Sequence, residues 1–158
     1  MLEIFEADQP DDSRPRDAIG AAWAFARGGE RGKHLRDTAS AALKAAKSAH
    51  TAAAREAAWA AMSAAGAAYL HPLAKATQVQ VKHILGASAY AARAAELVAD
   101  GDTSVGAEHL EQTMRHATPV VVDVLKRFPA APDGGGRRRT GRRVDPHTGR
   151  RPSLAHLT

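Results

Sequence analysis

About a quarter of the residues are alanine, whereas aromatic residues make up only 4% of the chain. Alanine loses no side-chain entropy in a helix, and its single methyl group lets neighbouring helices come close, so this composition points to packed helices. The β-branched and aromatic residues that favour strands are scarce outside one short run, Val120, Val121, Val122 and Val124. A length of 158 residues fits one core on the prior of about 100–200 residues per domain. With 44% hydrophobic and 25% charged residues the chain has the balance of a globular protein. It holds no cysteine, which removes disulfide and thiolate chemistry and fits a cytoplasmic location. The amino terminus lacks a basic segment followed by an apolar one, and no apolar run is long enough to cross a bilayer, so no membrane role is expected.

Proline, glycine and cap residues divide the alanine-rich sequence. Leu2 and Phe5 share one face of a short helix over residues 2–8, which Pro10 ends. The acidic turn that follows supplies caps, and Pro15 with Asp17 opens a second helix whose expected inner face is Ile19, Ala22, Trp23 and Ala26. Gly28 and Gly29 stop it. A third helix, from about Leu35 to His50, turns Leu35, Ala39, Ala42, Leu43 and Ala46 inward and leaves Lys44 and Lys47 to water. A fourth continues from about Thr51 to Leu70 with a packing stripe of Trp59, Met62, Gly66 and Tyr69, and ends before Pro72. A fifth starts at about Leu73 or Thr77 and stops at Asp100 and Gly101; a sixth, capped by Thr103 or Ser104, runs to about Phe128 and is kinked or split near Thr118 by Pro119. Short connections between such helices predict an all-α, up-down helical bundle of about five to six helices. Its expected core is Trp23, Leu43, Trp59, Ile84, Leu85 and Leu125.

The net charge of +5 is unevenly placed. Residues 1–132 hold equal numbers of basic and acidic side chains and form the expected domain, while 133–158 add Arg137, Arg138, Arg139, Arg142, Arg143, Arg150 and Arg151 against two aspartates. That tail has little apolar surface to offset the entropy of ordering it, so it is expected to be disordered. Any nucleic-acid binding is expected to be weak and to run through it.

No phosphate loop, nucleophile elbow, HExxH or dinucleotide fingerprint occurs. His109 and His116 lie two turns apart, about 10 Å along a helix, too far to share one ion, and no metal or other cofactor is expected. Asp8, Asp11, Asp12 and Asp17 with Arg14 and Arg16 suit a helix start and its salt bridges better than acid–base work. His71 and His83 flank the Pro72 break, where side chains of two helices can meet, and a half-buried imidazole bonding a freed carbonyl accounts for such a residue.

Residues 2–29, LEIFEADQPDDSRPRDAIGAAWAFARGG, and the later AAGAAYLHPLAKATQVQVKHILGASAYAARAAEL resemble the helical immunity proteins of bacterial polymorphic toxin systems, the immunity-five-like domain. The most specific elements are residues 10–19 with 22–27, and 71–83 ahead of 86–91; the resemblance covers about residues 2–128. It implies a non-enzymatic binding protein that neutralises a cognate toxin by occluding it, with Asp11, Asp12, Arg14, Arg16, His71 and His83 as candidate binding residues. The rival readings are an enzyme or small-molecule binder using His71 and His83, and a nucleic-acid binder using the tail. Family members carry more helix before the position of Leu2. An apolar strip beside Leu2 and Phe5, rimmed by Asp11, Asp12, Arg14 and Arg16, is therefore expected to be exposed, giving either a homodimer through it or a poorly soluble monomer. Deleting residues 133–158 is expected to leave the thermal midpoint unchanged, and a fall of several degrees would show that the segment packs on the domain.

Overall fold

The computed structural model describes residues 1–70 and 78–130; His71, the Pro72 break and the tail 133–158 lie outside the described residues. The elements are α1 (Leu2–Asp8), α2 (Arg14–Ala26), α3 (Lys33–Ser48), α4 (Ala52–Tyr69), α5 (Gln78–Val98), α6 (Thr103–Arg115) and α7 (Pro119–Leu125), with no strand among the described residues. The expected split of the last helix is present, with Thr118 capping α7 through its side chain and Pro119 opening it. The second helix ends as its glycines suggest. Gly28 adopts φ +96°, and the amides of Gly28 and Gly29 return to the carbonyls of Phe25 and Ala24. None of the described helices is long and apolar enough to cross a membrane.

Small side chains decide which helix is central. α4 buries Ala54, Ala57, Ala58, Ala60, Ala61, Ser63 and Ala65, which point in several directions around its axis. α1, α2, α3 and α5 all pack against it, α6 packs on α5, and the result is an up-down helical bundle. α3 contributes Leu35, Thr38, Ala39, Ala42, Ala45 and Ala46 to the interior. Phe5 is the largest fully buried side chain, set among Ala45, Ala46, Ala54, Ala57, Ala58 and Ala94. A second cluster joins Ala18, Ala39, Ala42, Ala61 and Ala65.

The expected core of bulky residues is corrected by this arrangement. Trp23 is 60% exposed and Leu85 40%, while Leu43, Trp59, Ile84 and Leu125 are only half-buried. On α2 the inner face is Pro15, Ala18 and Ala21, one residue earlier in register than the Trp23 face. On α4 the stripe Trp59, Met62, Gly66 and Tyr69 lies at the edge of the interface, where the Trp59 and Tyr90 rings meet with centroids 5.4 Å apart. The reason is geometric: large side chains would hold backbones apart, so they border contacts that alanines make. Phe5, expected to sit beside an open apolar strip, itself inserts into the alanine cluster.

The α4–α5 contact tests this packing directly. A methyl group on Gly86 would lie 2.9 Å from Ser63 Oγ and 3.3 Å from the Tyr90 ring, and Ser63 Oγ is buried without a hydrogen-bond partner among the described residues. Gly86→Ala is expected to cost about 1–3 kcal/mol, with Ser63→Ala recovering part of it in the double variant. In denaturant titrations Phe5→Ala should cost about 3–5 kcal/mol, whereas Trp23→Ala, despite removing the bulkier side chain, should change stability by no more than about 0.5 kcal/mol.

Candidate functional site

The α1–α2 turn is fastened to the α3–α4 turn by polar groups. The Asp8 carboxylate accepts the backbone amides of His50 at 2.9 Å and Thr51 at 3.0 Å, and Gln9 Nε2 donates to the Ser48 carbonyl at 2.6 Å. Arg14 grips Asp12 through Nε and Nη2, at 2.8 and 2.5 Å, and Nη2 also donates to Ser48 Oγ at 3.0 Å. Arg16 pairs with Glu6 of α1 at 2.5 Å. Burial by itself pushes the Asp8 carboxyl up, but the bonds from His50 and Thr51 together hold it below the usual carboxylate range. The Arg14 side chain holds Asp12 down in the same way.

Of the four candidate residues in this turn, Asp12 and Arg14 are therefore occupied within the fold, Arg16 ties α2 to α1, and Asp11 faces solvent. Asp8, Gln9 and Ser48 complete the clasp, and the sequence reading had not singled out their joint role. One sign was available: Asp8 ends α1, where a carboxylate opposes the helix dipole and so needs another reason to be there.

His83 belongs to a different place. Its ring lies over Gly66, where an added methyl would come within 3.2 Å of Nδ1. It lines a cleft of about 220 Å³ between α3, α4 and α5, with Leu43, Met62 and Leu70 as apolar walls and Arg36, Ser40 and Tyr69 at its edge. The Arg36 guanidinium stands 5.9 Å from the centre of the Tyr69 ring. The cleft is smaller than the roughly 300–1,000 Å³ common for small-molecule sites. From Thr51 to Gly66 the α4 axis advances roughly 20 Å, so the clasp and the His83 cleft lie at opposite ends of α4 and do not form one site. His71 lies outside the described residues. His109 and His116 are on α6 and its cap, where His116 Nδ1 lies 2.7 Å from the Gln112 carbonyl, and no cluster suited to a metal ion occurs among the described residues.

Two apolar surfaces are open among the described residues. A groove of about 630 Å³ runs beside α1, lined by Ile4, Ala7, Ala52, Ala53, Leu97 and Val98, with Glu3 and Asp8 at its rim in place of the expected Asp11–Arg16 border. Leu110, Met114, Val120, Val121, Val122 and Val124 are exposed on α6 and α7.

The family model described as Imm-5 like putative immunity protein matches residues 1–118. The chain belongs to this family. No curated protein and no solved structure matches it. The clasp and the described part of the His83 cleft both fall within the matched residues, while α7 begins just beyond them.

The lowered Asp8 and Asp12 values give the clasp a pH dependence of definite sign. Both carboxyls bind protons less readily in the folded than in the unfolded chain, so their contribution is complete above an unfolded value of about 4 and is lost as pH falls through the lower folded values. Asp8→Asn is expected to cost about 1–3 kcal/mol at neutral pH. The gap between it and the parent chain should narrow below about pH 4 in acid titrations followed by circular dichroism. A gap independent of pH would show that the carboxylate charge is not what matters.

Proposed function

We propose that this chain is a non-enzymatic immunity-type protein that binds a cognate toxin and occludes it. The observation that carries this reading is membership of the Imm-5 like family across residues 1–118, which takes in every described helix except α7. A bundle fastened at one end by hydrogen bonds between two turns suits such a role, because a preorganised surface loses little entropy on association. Asp11 and Arg16 are exposed beside the clasp and accessible to a partner, as is the edge of the His83 cleft, whereas Asp12 and Arg14 would act by holding the turn in place. This reading sets the protein in a bacterial cytoplasm beside the toxin it restrains.

The test is genetic. Genes adjacent to the one encoding this chain are expressed singly in a bacterial host, and any product that arrests growth is co-expressed with the chain. Relief of the arrest, together with a complex that survives gel filtration, is expected. Growth arrest that the chain leaves untouched, or neighbours that never arrest growth, would overturn the reading.

A further inference from the structure

The solvent side of α3 carries a stripe of positive charge. At about 100° per residue, Lys33, Arg36, Ser40, Lys44 and Lys47 fall within roughly 80° of one another and extend roughly 20 Å along the helix. All five are exposed. Lys33 is partly neutralised by Asp37 at 3.5 Å, but Arg36, Lys44 and Lys47 have no ion pair among the described residues. The balance of residues 1–132 thus conceals a separation: the acidic excess collects in α1 and the turn after it, and the basic excess on α3.

One edge of the stripe is also the edge of the His83 cleft. Arg36 and Ser40 belong to both, and Leu43, Met62 and Leu70 lie just inside. Unpaired positive charge therefore borders an apolar recess with room for about one bulky side chain. Arginine and tyrosine, the pair at its mouth, are residue types enriched where proteins bind proteins. A phosphate backbone would use the charges and leave the apolar walls unfilled. A protein surface that sets an apolar side chain among carboxylates would use both.

We propose that the α3 stripe and the adjoining cleft dock the acidic face of a protein partner, one of whose apolar side chains enters between Leu43, Met62 and Leu70. The proposal rests on the immunity reading in identifying that partner as the toxin. The positive stripe steers the encounter and the recess fixes the register.

The growth-arrest assay above, run with charge-reversed variants, tests it. Lys44→Glu with Lys47→Glu should lower protection at least about tenfold, because steering charges act on association. Lys126→Glu with Arg127→Glu, the same change in net charge placed after α7, should stay within about twofold of the parent. Both pairs are exposed, so thermal midpoints should match that of the parent chain. If the parent protects and the α3 variant protects equally, the docking surface is wrongly assigned while the immunity reading stands. If the parent protects against nothing, that reading falls and the surface is judged directly. For this arm the ¹⁵N-labelled chain is titrated with a peptide of alternating glutamate and leucine and, separately, with a short DNA duplex. Peptide-induced amide shifts centred on Arg36, Leu43, Lys44 and Lys47 support the proposal. No shifts there, or shifts with the duplex alone, overturn it.

Discussion

A methyl side chain excludes water and gains dispersion energy only if another backbone comes within a few ångströms of its own, because attraction between atoms falls off steeply with any gap. That requirement governs this fold. α4 presents alanines in several directions, and four other helices approach it closely enough to bury them. Each buried methyl contributes on the order of 0.8 kcal/mol, so the interior depends on many small contacts rather than on a few large residues. Phe5 is the largest of the few bulkier side chains that join them, a single ring that fills the space six alanines leave between α1, α3, α4 and α5.

Close approach of backbones leaves the turns at the ends of the bundle crowded and in need of hydrogen-bond partners. The α3–α4 connection has neither glycine nor proline to shape it, and its amides at His50 and Thr51 are satisfied by Asp8, about forty residues earlier in the chain. Gln9 and Arg14 reach Ser48 at the end of α3, just before that turn. The clasp thus couples the position of α1 to the angle between α3 and α4, and with it the seat of Phe5. It also explains why the acidic residues near the amino terminus resemble a reactive cluster in sequence although part of their bonding capacity is spent inside the fold.

At the opposite end of α4 the same economy of size has another effect. Gly66 lets the His83 ring approach α4, and the larger residues displaced from the alanine interfaces, Leu43, Met62, Tyr69 and Leu70, gather around a shallow cleft. Packing that sends bulky side chains to the periphery therefore produces apolar recesses at the surface, next to the charged faces of the same helices. In this member of the Imm-5 like family, the packing sets apolar and charged groups of the described helices side by side.

Much of the fold was legible in the residues alone. Alanine content, Pro15, Gly28, Pro119 and the Asp100–Gly101 stop determine that the chain is helical and where most helices begin and end, since propensity and capping act within a turn or two of the residue concerned. The motifs of residues 10–19 and 71–83 likewise carried the family resemblance. What the sequence could not settle was which face of each helix turns inward, because methyl groups on all sides leave hydrophobic periodicity with little contrast; the bulky residues then marked the wrong face of α2 and the rim of α4. Nor could it show that Arg14, paired with Asp12, is tied to Ser48 while His83 joins Arg36 and Tyr69 in a cleft at the far end of α4. Those groupings join residues distant in sequence, and only the mutual approach of whole helices decides them.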